Sequence, residues 1–266
     1  MSVPSNTPQS KPTNAEAAKP NRPTNPPEAE HAGRVSLGKY RLLKKVGSGG
    51  MGAVFQAEDT ERQRTVAIKI LPKDKAKNPT LVKRFKAEAQ AAANLSHENI
   101  VQVYGAGEAD GYLYISMEYI EGTDVQELVS KHGVLPVKRS VDIIRQMARA
   151  LDHTGTMNLA HRDIKPSNLL LDDEGRIWLT DFGLAKRLDD VTLSKTGALL
   201  GTPRYMSPEQ AMASKHPVDH RTDIYSLGAT LYELMTGRPV FQADSPHQVI
   251  HQILHQDPLP PRQLSP

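Results

Sequence analysis

The spacing of apolar residues changes partway along this chain, and that change limits what it can fold into. From Leu37 the runs are short and strand-like: Tyr40 to Val46, Val66 to Ile70, Ile100 to Tyr104 and Tyr112 to Tyr119, each of a length and pattern that suits a strand. The last two flank a glycine-rich stretch, residues 105–111, that reads as a turn region. A helical stretch interrupts the strands beyond Pro79, where Leu81, Phe85, Glu88 and Ala92 lie on one stripe. After Glu121-Gly122-Thr123, which reads as a linker, the spacing turns mostly helical, over Val137 to Leu151, Thr222 to Met235 and Ser245 to His255, with Gly237 and Pro239 stopping the second helix. Strands first and helices after predict an α+β protein of two lobes with a cleft between them, a common place for a ligand.

The first 34 residues lack this texture. Pro4, Pro8, Pro12, Pro20, Pro23, Pro26 and Pro27 stand among Asn, Ser, Thr and Ala, with little apolar surface to offset the entropy of ordering, so a disordered tail is expected. Its proline spacing would suit a polyproline partner, but a plain flexible linker is the simpler reading. The 266 residues leave enough chain to bury a core, and 33 Lys+Arg against 30 Asp+Glu give no indication of a nucleic-acid partner. With no run of 18 apolar residues and no apolar core at the N-terminus, neither a membrane span nor secretion is expected, and a cytoplasmic address is the default. The absence of cysteine removes disulfides, thiol nucleophiles and Cys-ligated zinc. Lys73, Lys75, Lys77, Lys83, Arg84 and Lys86 form a basic run, read as the solvated face of a helix with a docking patch as the alternative.

Several stretches carry chemistry. Gly47-Ser48-Gly49-Gly50-Met51-Gly52-Ala-Val54 has glycines where a tight loop would bring backbone N–H groups close to an anion, although a plain glycine-rich hairpin would look the same. A strand rather than a helix follows, which argues against a dinucleotide-binding unit and for a loop that covers phosphates. Strand alternation puts Ala67 and Lys69 on one face and Val66, Ile68 and Ile70 on the other. An inward Lys69 needs a partner, and Glu88 on the helix stripe has the complementary need, so an ion pair is expected; a surface lysine at a strand end is the plainer alternative. The richest stretch runs from His161-Arg162-Asp163-Ile-Lys165-Pro-Ser-Asn168 through Leu169-Leu170-Leu171, Asp172-Asp-Glu-Gly175 and Arg176-Ile-Trp-Leu-Thr180 to Asp181-Phe-Gly183. Pairing its two apolar runs as a hairpin brings Asn168 and Asp181 to one end. Two oxygen ligands there, with Lys165 and Asp163 nearby, suit a hard cation such as Mg²⁺ on phosphate oxygens. A hairpin flanked by solvated polar residues explains each residue singly but not the set.

The glycine loop, Val66-Ala-Ile-Lys69, Glu88, His161-Arg-Asp163 to Asn168, Asp181-Phe-Gly183 and Gly201-Thr-Pro-Arg-Tyr-Met-Ser-Pro-Glu209 stand in the order and spacing of the protein-kinase signature set. Over about residues 37 to 258 the chain resembles a eukaryotic-like serine/threonine protein kinase, and Glu88-Ala-Gln and Met206-Ser-Pro-Glu-Gln-Ala211 are most similar to the bacterial branch. The resemblance implies an α+β, bilobal protein-kinase fold: a tail over 1–36, an antiparallel-sheet N-lobe over 37–118, and a hinge with a mainly helical C-lobe over 119–266. Kinases of this type continue for several helices beyond the position of Leu254, one of them carrying an arginine that pairs with the glutamate matching Glu209. Here the sequence stops at Pro266, so the C-lobe is expected to be incomplete, as a fragment or a truncated protein, with apolar surface uncovered.

The same resemblance implies roles for residues. Val46 and the loop from Gly47 to Gly52 would cover ATP, Lys69 would hold its α and β phosphates, and Glu88 would position that lysine. Val54, Ala67 and Leu170 would sandwich the adenine, Met117 would stand at the back of its pocket, and Glu118 and Tyr119 would form the hinge. Asp163 would accept the substrate hydroxyl proton with Lys165 near the transferred phosphate, and Asn168 and Asp181 would hold Mg²⁺, with Mn²⁺ as an alternative. Ser194 and Thr196 would be activation-loop phosphoacceptors, whose phosphate Arg162 would pair. Thr202 would contact the catalytic aspartate. Asp223 would anchor the catalytic-loop backbone, although it would equally favour a helix N-terminus. The implied activity is ATP-dependent phosphorylation of serine and threonine in protein substrates, switched on by autophosphorylation between self-associated copies. A nucleotide-binding pseudokinase-like module, or an inactive fragment for want of the C-terminal helices, and a small-molecule kinase are the competing readings. A pseudokinase would be expected to lack the lysine, the aspartate or a metal ligand, and a small-molecule kinase the segment from Gly201 to Glu209.

Overall fold

The computed structural model describes residue 1 and residues 35–49, 52–182, 203–212 and 218–264; of residues 84 and 88 it describes the backbone. Its first lobe is an antiparallel sheet in the order β1-β2-β3-β4-β6-β5. The strands are β1 (Ser36–Leu37), β2 (Tyr40–Gly49), β3 (Gly52–Asp59), β4 (Arg64–Leu71), β5 (Val103–Ala109) and β6 (Tyr112–Glu118). Between β4 and β5 lie a short helix α1 (Lys73–Ala76) and the longer α2 (Pro79–Ala93), which Asn78 caps by accepting from the amides of Thr80 and Leu81. Pro79 at the first helical position suits that start, because its missing N–H would have had no partner there.

Central strand β4 is buried on both faces, as a near-continuous apolar run demands. Val66, Ile68 and Ile70 pack with Leu42 and Phe55 on one side. On the other, Ala67 and Leu71 pack with Phe85 and Ala89 of α2 and with Ile115 and Met117 of β6. The expected alternation therefore holds, and Lys69 shares the α2 side with Ala67.

Two sequence readings need correction. The strand expected at Ile100 to Tyr104 begins at Val103 and runs on through the glycine stretch to Ala109, while Ile100 makes a single parallel bridge to Leu179. The glycines serve a close approach rather than a turn: a Cβ on Gly107 would lie 2.6 Å from Oη of Tyr114 on the neighbouring strand. The turn is confined to Asp110 and Gly111, both at positive φ, which suits the right-handed twist of a two-residue hairpin loop. The stretch expected as a linker, Glu121-Gly122-Thr123, contributes instead to β7 (Gly122–Asp124), which pairs with β8 (Leu169–Asp172).

In the second lobe a small sheet β7-β8-β9, with β9 at Ile177–Leu179, lies beside α3 (Val125–His132) and α4 (Val137–Thr156). Beyond it come α5 (Pro208–Ala211), α6 (Arg221–Thr236) and α7 (Pro246–His255). Ile143 and Met147 of α4, Leu169, Leu179 and Leu234 form the core, which also takes in Leu95 and Ile100. The lobes are thus joined through residues 95–101. Val101 N–H donates to the Leu179 carbonyl at 2.9 Å, and Leu179 N–H donates to the Asn99 carbonyl at 2.8 Å.

Candidate active site

The β8–β9 hairpin forms in the register Leu169↔Leu179, Leu170↔Trp178, Leu171↔Ile177. Residues just before β8 and just after β9 therefore meet at one end, and Thr180 N–H donates to the Asn168 carbonyl at 3.1 Å. A 3-10 turn over Pro166–Asn168 delivers Asn168 there. Its side-chain Nδ2 donates to the Asp163 carbonyl at 2.7 Å and to Asp163 Oδ2 at 3.1 Å. Lys165 Nζ donates to the same Oδ2 at 2.8 Å.

Asp181 closes the group from the other side, accepting at Oδ1 from Lys69 Nζ at 2.9 Å. Burial pushes the Asp181 carboxyl up, but the charge and hydrogen bond of Lys69 outweigh it and hold the group below the ordinary carboxylate value. Lys69 itself is only 7% exposed, so this carboxylate helps it remain charged away from water. The side chain of Glu88, its expected partner, lies outside the described residues.

His161 and Asp223 hold the loop that carries Asp163. Asp223, at the start of α6, accepts from the backbone N–H of His161 at Oδ2 and of Arg162 at Oδ1, each at 2.7 Å. Burial pushes its carboxyl up, against the opposing influence of His161 and of these two N–H groups. The His161 ring is fully buried and packs against that of Phe182, with centroids 4.7 Å apart and the planes tilted by 57°. Its Nδ1 accepts from Asp163 N–H at 3.3 Å, so its Nε2 donates to the Thr180 carbonyl at 3.0 Å. Burial pushes the imidazole below its ordinary value and keeps it neutral, as that pattern requires.

Above this group, Val54, Ala67, Met117, Tyr119 and Leu170 fall in one apolar cluster. Glu118 N–H donates to the Gln102 carbonyl at 2.9 Å at the end of β6. In the glycine loop, Gly47 pairs with Val54 and Gly49 with Gly52, and Ser48 lies opposite Ala53; Val46 is exposed. A Cβ on Gly52, which sits at φ +137°, would fall 1.9 Å from the Ile70 carbonyl oxygen, so only glycine lets the loop lie this close over β4. Glu209 stands in the first turn of α5, within electrostatic reach of Arg221. Gly50, Met51, Ser194, Thr196 and Thr202 lie outside the described residues.

The arrangement fits a nucleotide and a hard cation. An apolar cluster that includes Ala67 adjoins the Lys69–Asp181 ion pair, and Asn168, whose nitrogen donates to Asp163, carries an oxygen of the kind a hard cation takes. The sequence reading assigned no role to His161, although it adjoins Arg162 and Asp163. It also missed Gln210, whose one signal is the capping box Ser207-Pro-Glu-Gln210.

A glycine-covered slot between a sheet lobe and a helical lobe, with a lysine, two aspartates and an asparagine at its base, defines the class as a protein kinase domain. The profile of the family described as protein kinase domain matches residues 40–263, and the chain belongs to that family. Its relatives are of the bacterial serine/threonine type. The serine/threonine-protein kinase PrkC of Bacillus subtilis is 43% identical over 216 residues, 80% of this chain and 33% of PrkC. The serine/threonine-protein kinase PknB of Mycobacterium leprae is 41% identical over 230 residues, 85% of this chain and 37% of PknB. A crystal structure of the Mycobacterium tuberculosis PknI kinase domain matches with a TM-score of 0.67 at 29% identity, over 88% of this chain and 83% of that one. The chain spans about a third of the length of the curated relatives it matches.

Proposed function

We propose that this domain transfers the γ-phosphoryl group of ATP to serine and threonine hydroxyls of proteins, with Asp163 as the residue that receives the hydroxyl proton. The observation that carries the reading is the convergence on Asp163: Lys165 and Asn168 both donate to its Oδ2, which fixes the orientation of the carboxylate. Held this way, Asp163 orients the attacking hydroxyl, and Lys165 beside it faces the charge that spreads over the transferred group. Lys69 holds the α and β phosphates under the lid from Val46 to Gly52. Val54, Ala67, Leu170 and Met117 enclose the adenine, with Glu118 and Tyr119 at its edge. Asn168 and Asp181 would hold Mg²⁺, or Mn²⁺, which when bound offsets charge on the phosphate oxygens.

We take residues 37–118 as the first lobe, 119–266 as hinge and second lobe, and the cytoplasm, where ATP is supplied, as the place of action. A second copy of the chain is the first substrate in this reading, with Ser194 or Thr196 as acceptor. Arg162 supports it: its Nε is buried with no hydrogen-bond partner among the described residues, as a phosphate-binding arginine in wait would be. The pseudokinase alternative has no observation in its favour, since Lys69, Asp163, Asn168 and Asp181 are all present in the chain.

Incubation with Mg-ATP followed by peptide mapping tests the reading. Phosphate on serine or threonine, absent when Asp163→Asn replaces the parent chain, is the expected result. Phosphate found equally in both would overturn the assignment of Asp163, and phosphate on tyrosine alone would overturn the acceptor class.

A further inference from the structure

Arg162 is held in a conformation it would not choose. Its φ is +65°, in the left-handed region, which costs a residue with a side chain about 1–2 kcal/mol. Of the other described non-glycine residues at positive φ, Gln63, Asp110 and Asn158 lie in surface turns, where such values are common, and Asp181, at +59°, belongs to the same site as Arg162. Arg162 lies in no turn, so its surroundings must impose the conformation.

They do so at its backbone N–H, at its carbonyl and at one nitrogen of its guanidinium. Its N–H donates to Asp223 Oδ1 at 2.7 Å, its Nη2 donates to the Val218 carbonyl at 3.2 Å, and its carbonyl accepts from Gln210 Nε2 at 3.1 Å. The last contact matters most for catalysis. The Arg162 carbonyl and the Asp163 N–H belong to one planar peptide group. Gln210 grips that plane at the oxygen, and His161 Nδ1 accepts from it at the nitrogen, 3.3 Å away. With both edges held, the direction in which Asp163 leaves the backbone is set.

We propose that Gln210 is a positioning residue for Asp163, a role that rests on the reading of Asp163 given above. The side chain is buried and is itself locked: Oε1 accepts from Ser207 N–H at 3.0 Å and more weakly from Ser207 Oγ at 3.3 Å. Ser207 Oγ in turn lies 2.7 Å from Thr222 Oγ1, one residue before Asp223. A side chain that caps α5 needs only an acceptor, and glutamate serves as well as glutamine in a capping box. One that also donates to a buried carbonyl needs an amide, and the donating half of Gln210 is what the catalytic loop uses.

Gln210→Glu separates the two halves, because it keeps the acceptor for Ser207 and sets an oxygen against the Arg162 carbonyl. Gln210→Met removes the donor without adding charge. In each variant kcat is expected to fall about tenfold with the KM for ATP held within about twofold, the loss of one hydrogen bond felt in the transition state and not in nucleotide binding. Hydrogen exchange of the peptide spanning residues 160–165 is expected to quicken in both. A folded variant with unchanged kcat, or with unchanged exchange over that peptide, overturns the proposal. If Gln210→Glu fails to fold, Gln210→Met decides by the same criteria. If the parent protein transfers no phosphoryl group, the reading of Asp163 has failed, and the exchange measurement alone decides whether Gln210 holds the loop.

Discussion

Lys69 and Asp181 stand 112 positions apart in the chain and 2.9 Å apart at the tips of their side chains. Each lowers the cost of the other's charge: the lysine holds Asp181 below the ordinary carboxylate value, and the carboxylate keeps a lysine charged away from water. In Lys69→Met the Asp181 carboxyl loses the influence that offsets its burial and rises. In the proposed reading the phosphates lose their charged donor as well, and kcat/KM for ATP is expected to fall about a hundredfold, the scale of a charge-assisted hydrogen bond. Steady-state titration with ATP checks this, and an unchanged ratio would remove Lys69 from the nucleotide site. His161 makes a second prediction with a definite sign. Its folded value lies below the ordinary 6.5, so the unfolded chain takes up a proton at a pH where the folded one does not. This contribution is fully present above the unfolded value and is lost as pH falls below it. His97, lowered first by burial and then by the neighbouring His153, has the same sign. Denaturant midpoints should therefore drop between about pH 7.5 and pH 5.5. A midpoint that rose over that interval would mean that these imidazoles charge freely inside the fold.

Among the elements, α2 carries the largest single packing contact with the sheet. Phe85 is 1% exposed between Ala67, Leu71 and Met117, and Asn78 caps the helix that presents it. Phe85→Ala is expected to cost about 3–5 kcal/mol, measured by urea unfolding. A loss below about 1 kcal/mol would show that the helix contributes little to the first lobe. Elements like α2 were legible because their signals are local: a helical stripe beyond Pro79, or two apolar runs around Asp172-Asp-Glu-Gly175. Strand β5 was misread because glycine is ambiguous on a local reading. Gly107 looks like a turn residue until the Tyr114 ring is seen against it. Gly122 misled in the same way, since its partner residue, Asp172, lies fifty positions onward.

At the scale of the whole molecule, the unforeseen feature is the joint between the lobes. Asn99 Nδ2 donates to the Ile177 carbonyl at 2.8 Å and to Gln146 Oε1 at 3.1 Å, and Gln146 Oε1 accepts from Ile177 N–H at 2.8 Å. A loop of the first lobe, a helix of the second and strand β9 are thereby tied at one buried point, and β9 leads directly into Asp181. Much of the candidate site was legible from motif spacing, because the residues that touch substrate must be of fixed chemical type. The residues that hold them, Asn99, His161 and Gln210, were not, because the bonds that tie them to the site run to Ile177, Asp223 and Arg162, far away in the chain.

The central claim is that Asp163 acts on the hydroxyl and not on nucleotide binding. Single-turnover phosphoryl transfer, measured alongside the ATP dissociation constant in the parent and in Asp163→Asn, separates the two most directly. The transfer rate is expected to fall about 10²–10⁴-fold, the range for a general base, while ATP affinity stays unchanged. A transfer rate equal to that of the parent, or a loss that appears only as weaker ATP binding, would contradict it.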